Sequence, residues 1–193
     1  MDKILNLIIL GPQGSGKGTQ AALLARNFRA ALFGAGDALR EIAKIDTAIG
    51  RRVHQTINVE GRLVEPELIS DVIKEQILTV PKEQSLILDS YPRSLEQYDL
   101  FKQFWPEMGR GDYLVIFLEL SEAEAIKRLM QRKRVDDSEE IIRKRLQMFR
   151  SLTMPMIAEM EKEGKVIRID GTPSIDKVQQ QILEKLNLSP AAR

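Results

Sequence analysis

A glycine-rich run follows the first apolar stretch of the chain and leads into a lysine and a threonine. It covers residues 11–19 and lies between a predicted strand and a predicted helix. Glycines permit backbone angles at which successive N–H groups point at one anion, and the positive end of the helix dipole adds to that attraction. Lys17 can neutralise the outer phosphates of a nucleotide, and Thr19 can offer a hydroxyl to Mg2+. The run therefore predicts a site for a nucleotide polyphosphate, contacted by Gly14, Ser15, Gly16, Lys17, Gly18 and Thr19.

Charged residues also follow the other predicted strands. Asp89 ends a buried apolar run and can hold a water bound to Mg2+. Transfer of a phosphoryl group requires aligned phosphates and surrounding positive charge more than covalent chemistry by side chains. The set of arginines therefore favours this reaction. Its members are Arg40, Arg93, Arg128, Arg132, Arg134 and Arg145.

Apolar runs alternate with segments of helical periodicity along the whole chain. Such alternation is typical of an α/β fold, here a P-loop three-layer sandwich with a five-stranded parallel sheet. Ligands bind such sheets at the carboxyl ends of the strands, so the glycine-rich run, Asp89 and Gly171 should meet there. The predicted strands are residues 4–10, 31–33, 86–89, 113–118 and 165–169. The predicted helices are residues 17–28, 37–45, 48–58, 66–78, 95–104, 121–133, 138–148, 153–163 and 175–186.

Composition excludes several kinds of site. The 193 residues are 43% hydrophobic and 30% charged, which is typical of one globular domain. The chain has no cysteine and a single histidine, which excludes disulfides, zinc–thiolate sites and iron–sulfur clusters. Because 29 Lys+Arg balance 28 Asp+Glu, we do not expect a nucleic-acid partner. No apolar run is long enough to span a membrane, and we find no signal peptide, so we expect a cytoplasmic protein. No exposed apolar helix stripe is obvious in the sequence, so we expect a monomer.

Five motifs, in their order and spacing, resemble the nucleoside monophosphate kinases and most closely the short-lid adenylate kinases. The resemblance covers the chain from Ile4 to about Val178. It implies reversible transfer of the terminal phosphoryl group from ATP-Mg2+ to AMP, giving two ADP. Transfer would be direct and in line, without a covalent enzyme intermediate. The matching segments are residues 14–20, 36–40, 61–64, 89–93 and 134–137.

The resemblance implies a donor site for ATP and Mg2+. The glycine-rich run and Lys17 would hold the phosphates, Arg128 would stack on the adenine, and the backbone near Gly171 would line the same base. Thr19 and Asp89 would hold Mg2+ largely through water. The implied partners are the nucleotides ATP, AMP and ADP, with neither a nucleic acid nor a membrane.

The implied acceptor site lies across the edge of the sheet. Arg40 and Arg93 would clamp the phosphate of AMP, and Gln97 would read the edge of its base. Closure over the phosphates would exclude water, which otherwise accepts the phosphoryl group. The other implied contacts of AMP are Ala35, Val64 and Ser90, and the implied catalytic residues are Lys17, Arg93, Arg132, Arg134 and Arg145.

The resemblance also divides the single P-loop kinase domain into parts. Only Lys133 separates Arg132 from Arg134, whereas short-lid members carry several more residues there. Either these arginines reach the phosphates from a tight turn, or closure is incomplete and hydrolysis of ATP rises. The implied parts are a core of residues 1–33, 62–127 and 135–193, a helical monophosphate-binding insertion at about 34–61, and a minimal lid at about 128–134.

Three further substitutions depart from the family pattern. Ala35 stands where adenylate kinases usually have a threonine that helps to recognise adenine, and alanine there is typical of UMP/CMP kinases. Gln97 favours adenine instead, because an amide both donates and accepts hydrogen bonds. Ser90 replaces a glycine that either permits an unusual backbone angle or leaves room for the phosphates, and Gln13 replaces a common proline. The alternatives are therefore a UMP/CMP kinase, or a nucleotide-binding ATPase switch or assembly factor with the same fold.

Overall fold

A parallel sheet lies at the centre of the protein. The computed structural model describes residues 4–132 and 138–188, without the side chain of Arg132. Its strands are β1 (Asn6–Leu10), β2 (Ala31–Gly34), β3 (Leu86–Asp89), β4 (Leu114–Glu119) and β5 (Val166–Asp170). They lie in the order β2-β3-β1-β4-β5, and every adjacent pair is parallel. The predicted α/β fold with a five-stranded parallel sheet is confirmed over these residues.

Helices connect the strands. In the described ranges they are α1 (Lys17–Phe28), α2 (Ala35–Ala43), α3 (Ala48–His54), α4 (Pro66–Leu78), α5 (Leu95–Phe104), α6 (Glu122–Arg132), α7 (Glu139–Met148), α8 (Met154–Lys162) and α9 (Ile175–Lys185). Two π-helical segments, Gln55–Val59 and Phe149–Thr153, follow α3 and α7. None of these helices is both long and apolar enough to cross a lipid bilayer.

The core has one layer of helices on each face of the sheet. Successive side chains of a strand point to opposite faces, and β1 shows this alternation. Leu7 and Ile9 pack with α1 and α9, whereas Ile8 and Leu10 pack with α4, α5 and α8. Each such buried side chain stabilises the fold by roughly 1.5–3 kcal/mol. β1 is therefore packed against helices on both faces, and this packing also positions its carboxyl end, where the glycine-rich run begins.

The segment after β2 differs from its prediction. We predicted a loop through residue 36 and a helix from 37, but α2 begins at Ala35 with Gly34 in an extended conformation as its N-cap. The predicted helix over 48–58 is α-helical only to His54 and widens into a π-helical turn beyond it. We call residues 35–59 the arm. It packs on itself through α2 and α3, and Leu39 and Val53 join the core on the α4 side of the sheet.

Candidate active site

The glycine-rich run forms a loop between β1 and α1. Gly14 and Gly16 have φ angles of +84° and +86°, a region that side chains with a Cβ rarely adopt. A Cβ on Gly14 would also come within 3.1 Å of the Ala125 carbonyl oxygen of α6. The Lys17 Nζ donates to the Pro12 carbonyl across the loop, at 3.3 Å. Loop, lysine and helix N-terminus therefore combine as the sequence predicted.

Asp89 ends β3 beside the start of α1. Its Oδ2 lies 3.4 Å from the position that a Cβ of Gly18 would occupy. In the general P-loop pattern a serine or threonine follows the lysine, and here a glycine leaves room for this carboxylate. Thr19, the other predicted magnesium ligand, is exposed and does not line the cleft described below.

The donor set at this edge suits Mg2+ that arrives with a nucleotide. The described residues contain no group of three or more His, Cys, Asp or Glu side chains that could hold a metal by themselves. Mg2+ commonly binds one or two protein carboxylates and completes its shell with water and substrate phosphates. Asp89 fits that role, since its carboxylate faces the loop where the phosphates would lie.

A cleft of about 300 Å3 runs from this loop towards the arm. Its floor is the carboxyl edge of the sheet, and its walls come from the arm, residues 61–64 and α7. Three of the predicted arginines converge on it. The residues whose side chains matter most here are Lys17, Arg40, Ile57, Asn58, Val64, Asp89, Ser90, Arg93 and Arg145.

Arg93 is a half-buried cation of the cleft. Its Nε donates to the Ser90 carbonyl at 2.7 Å. Burial lowers the pKa of the Arg93 guanidinium, the Asp89 carboxylate partly opposes this, and the positive charges of Arg40 and Arg145 lower it further. An arginine nevertheless keeps its proton. The cleft therefore brings several positive charges close to one another and to the Asp89 carboxylate.

The other two arginines approach from opposite sides. Arg40 projects from α2 and forms an exposed ion pair with Asp37, one turn earlier. Arg145 projects from α7, and its Nη2 lies 3.5 Å from the Ile57 carbonyl oxygen of the arm. The two predicted phosphate clamps, Arg40 and Arg93, thus lie in one cleft with Arg145 and the phosphate loop.

Gln97 lies in a groove next to the cleft. The side chain is 3% exposed, and its Oε1 accepts a hydrogen bond from the Arg93 backbone N–H at 2.8 Å. Val64 lines both this groove and the cleft, which joins the two spaces. Ala35 is 3% exposed and lines neither, so of the predicted acceptor contacts it alone lies behind the surface of the cleft.

Arg128 and Gly171, for which the family resemblance implies contacts with one adenine, are hydrogen-bonded to each other. The Arg128 guanidinium donates to the carbonyls of Gly171 and Thr172, at 2.9 and 2.8 Å, and to the Glu124 carboxylate at 3.0 Å. A Cβ on Gly171 would lie 2.8 Å from the Glu119 carbonyl oxygen, so the turn requires a glycine. These contacts fix a planar cation beside the phosphate loop.

Two predicted arginines cannot be placed. Arg132 closes the last turn of α6, and its side chain is outside the described residues. Arg134 also falls outside them. Of the predicted minimal lid, residues 128–132 belong to α6, and residues 133–134 lie outside the described structure.

Several cleft residues carried no signal in the sequence. Ile57 and Asn58 reach the cleft from the π-helical turn of the arm, which helical periodicity cannot distinguish from an α-helix. Thr153 belongs to the other π-helical segment, and its hydroxyl donates to the Arg93 carbonyl at 2.8 Å. π-Helical turns are frequent at functional sites, and both of these turns line the same cleft.

Comparison with known proteins agrees with this geometry. The family described as adenylate kinase matches residues 9–165. Adenylate kinase 1 of Nostoc sp. is 34% identical over 176 residues, covering 91% of this chain and 95% of that protein. The adenylate kinase of Thermus thermophilus is 34% identical over 192 residues, covering 97% of this chain and all of that protein. One of Synechococcus sp. is 33% identical over 180 residues, covering 93% of this chain and 97% of that protein. The phosphate loop and the arginines thus lie within a match that spans most of the chain, which belongs to the adenylate kinase family.

Proposed function

We propose that the chain transfers the terminal phosphoryl group of ATP-Mg2+ reversibly to AMP, giving two ADP, in the cleft between the phosphate loop and the arm. Membership of the adenylate kinase family supports the reaction. One observation supports its place: Lys17, Arg40, Arg93 and Arg145 line a single cleft together with the loop. A protein with one nucleotide site has no need of this second set of phosphate-binding cations.

The donor nucleotide would bind at the loop. Backbone N–H groups at residues 14–19 would hold its phosphates, with Lys17 on the outer ones. The guanidinium of Arg128 is already fixed by two carbonyls, so its face is available for stacking on the adenine. Gly171 would line the same base. Because these groups are held before binding, little reorganisation would be needed.

The acceptor monophosphate would bind between the arm and β3. Arg40 and Arg93 would take its phosphate, and Val64, Ser90 and Gln97 would surround the rest. The Gln97 carbonyl already accepts from the Arg93 N–H, so its amide NH2 would be the group that contacts the base. An adenine edge offers ring nitrogens that accept from such a donor. Cytosine and uracil edges also accept from an NH2 group, so it is family membership that favours AMP although Ala35 supplies no hydroxyl.

Transfer itself would depend on charge and alignment. Arg93 and Arg145 flank the space between the two phosphate sites, where negative charge spreads over the transferring group. Lys17 would act from the donor side. Mg2+, when bound, neutralises charge on the phosphate oxygens, and Asp89 would hold it largely through water. Arg132 and Arg134 would be further catalytic residues of the same transfer.

The division into parts is also proposed. The arm and residues 60–61 would form the monophosphate-binding insertion of about 34–61, and residues 128–134 the minimal lid. The core would comprise residues 1–33, 62–127 and 135–193.

A monomeric state and a cytoplasmic location stay predictions. A UMP/CMP kinase and an ATPase switch are the outcomes that the assay below would separate from this proposal.

Arg93→Met tests the acceptor site. Methionine fills the buried space but carries no charge, so the phosphate loses one of its charged partners. We expect kcat/KM for AMP to fall at least about a hundredfold, because a charge-assisted hydrogen bond contributes ~1.5–3 kcal/mol and arginine commonly makes two to a phosphate. Affinity for ATP-Mg2+, measured by calorimetry, should change little. Unchanged turnover of AMP would refute the assignment.

The matched control is Arg143→Met on α7. Arg143 is exposed and pairs with Glu139 one turn earlier, at 2.8 Å, so we expect normal turnover. The unmodified protein should form diphosphate from AMP faster than from CMP or UMP. If diphosphate forms only from CMP or UMP, the acceptor is a pyrimidine monophosphate and not AMP. Hydrolysis of ATP with no transfer to any acceptor would favour the switch.

A further inference from the structure

Ser90 has a backbone conformation that costs free energy. Its φ is +66°, in the left-handed region that a residue with a Cβ adopts at a cost. The residue is 5% exposed, and its N–H donates to the Ile9 carbonyl at 3.0 Å, which ties it to β1. The backbone angle that a glycine would adopt without strain is thus present here. A serine in this conformation calls for a compensating role, since strain of this kind is retained mainly at functional sites.

The Ser90 hydroxyl is bonded to the neighbouring carboxylate. Its Oγ donates to Asp89 Oδ1 at 2.8 Å. The other carboxylate oxygen, Oδ2, faces Gly18 and the phosphate loop. One oxygen of Asp89 is therefore held from behind, while the other is directed to the place where a nucleotide with Mg2+ would lie. A glycine at this position could not make that bond.

The Ser90 carbonyl holds the acceptor side of the same cleft. It accepts the hydrogen bond from Arg93 Nε at 2.7 Å. Ser90 therefore contacts both Asp89, which faces the proposed donor phosphates, and Arg93, which would bind the acceptor phosphate. Its own N–H is bonded to β1, so both groups are connected through this residue to the centre of the sheet.

We propose that Ser90 is a positioning residue that orients Asp89 towards Mg2+-nucleotide through its hydroxyl and Arg93 towards the acceptor through its carbonyl. The inference rests on the proposed function of this cleft. It differs from the contact with AMP that the family resemblance implies for this position, because the hydroxyl is turned to Asp89. Loss of an outer-sphere partner of a direct metal ligand commonly changes metal affinity or activity by ten- to a hundredfold. Asp89 would hold Mg2+ largely through water, which places Ser90 one shell further out, so we expect an effect at the lower end of that range.

Two variants separate the hydroxyl from the strain. Ser90→Gly removes both the hydroxyl and the strain, and it should raise the thermal unfolding midpoint. Ser90→Ala removes only the hydroxyl and keeps the Cβ. We expect both variants to need roughly tenfold more Mg2+ for half-maximal enhancement of ATP binding. Their affinity for ATP in excess chelator should equal that of the unmodified protein. Calorimetry gives both quantities without turnover.

A double-mutant cycle checks that the effect runs through Asp89. In an Asp89→Ala background, Ser90→Gly should cause no further change in the Mg2+ requirement. Ser85→Ala is the structural control. Ser85 directly precedes β3 at the other end of the sheet, where its Oγ accepts from Leu5 N–H at 3.0 Å, so stability should fall while the Mg2+ requirement stays the same.

The outcomes are distinct. If Ser90→Gly stabilises the fold and leaves the Mg2+ requirement unchanged, the hydroxyl has no positioning role and the inference fails. Additive effects of Ser90→Gly and Asp89→Ala would also overturn it. Absence of phosphoryl transfer by the unmodified protein would refute the proposed function instead, because the binding measurements do not require transfer. Ser90→Gly relieves strain, so failure to fold does not threaten the test.

Discussion

Gln97 combines two tasks in one side chain. It is the third residue of α5, where Ser94 caps the helix by accepting from the Gln97 N–H at 3.3 Å. Its own Oε1 reaches back to the Arg93 N–H, as in a capping box. The amide thus anchors the loop that carries Arg93, and the residue also lines the acceptor groove. Anchoring and recognition can be separated by substitution.

Gln97→Glu keeps the anchor and removes the amide donor. A carboxylate accepts from the Arg93 N–H equally well and is favoured in the first turn of a helix. We expect the KM for AMP to rise about fivefold to tenfold, because one hydrogen bond to the base contributes about 1 kcal/mol. The thermal unfolding midpoint should change little. Steady-state assays with AMP and with CMP measure the loss of discrimination.

Gln97→Leu is the companion variant, since it removes both the acceptor and the donor. It should lower the unfolding midpoint as well as the turnover of AMP, because the loop at Arg93 loses its anchor. If Gln97→Glu leaves the AMP-to-CMP preference intact, the groove does not read the base through this residue.

The arm depends on a close contact between two helices. A Cβ on Gly50 of α3 would lie 1.9 Å from the Ile45 carbonyl oxygen and 2.8 Å from that of Ile42. Both are backbone atoms, so no side chain can move to relieve the clash. Thr47 closes the same turn by accepting from the Gly50 N–H at 3.0 Å. The position of the π-helical turn that lines the cleft follows from this crossing.

Gly50→Ala should therefore displace α3 from α2. We expect a loss of stability of roughly 1–3 kcal/mol, the usual cost of overpacking. The KM for AMP should rise more than the KM for ATP-Mg2+. Thermal unfolding and steady-state kinetics with each nucleotide varied in turn measure the two effects. Equal changes in both KM values would mean that the arm does not bind the acceptor selectively.

Ile49→Ala is the neighbouring control. The side chain is 56% exposed on the same helix, and exposed substitutions of this kind usually stay within about 0.5 kcal/mol. Kinetics and stability should both match those of the unmodified protein.

The fold as a whole is sensitive to alkali through its tyrosines. All three tyrosines of the sequence are buried. Burial raises the pKa of Tyr91 to about 12, and it also raises the pKa values of Tyr98 and Tyr113. Tyr98 adds a hydrogen bond to the Glu163 carboxylate, which further disfavours its phenolate. The folded state therefore favours the neutral, protonated form of each tyrosine.

Stability should thus fall at high pH. The unfolded tyrosine loses its proton near pH 10, below the folded pKa, so unfolding is coupled to proton release above that pH. The stabilising contribution is complete below about pH 10 and is lost as the pH rises towards about 12. For Tyr91 the loss is on the order of 2 kcal/mol. Urea unfolding at several alkaline pH values measures it.

Tyr91→Phe supplies the comparison. At neutral pH it should cost about 1 kcal/mol, since the hydroxyl donates to Ser70 Oγ at 2.8 Å. In alkali its stability should fall less steeply than that of the unmodified protein. Parallel pH profiles for the two proteins would show that Tyr91 does not contribute to the alkaline loss.

Local sequence was sufficient for most of the fold. Three helices, α1, α4 and α5, and strand β3 have the predicted bounds, because apolar periodicity, a first-turn proline and a serine cap act within a few residues. The phosphate loop was predicted for the same reason: its glycines, lysine and helix start are contiguous. The family resemblance then implied which arginines belong together.

Only the tertiary structure decided how those groups are arranged. Asp89 and Arg93 are four residues apart, but the strained Ser90 between them sets the direction of each. The π-helical turns at residues 55–59 and 149–153 shift side chains by a fraction of a turn that periodicity does not record. From the sequence, Ala35 and Gln97 are both predicted to contact the acceptor. In the folded structure Ala35 lies behind the cleft, whereas Gln97 lies at its margin. Such features depend on contacts between residues distant along the chain, and those contacts exist only once the sheet and its two helical layers have formed.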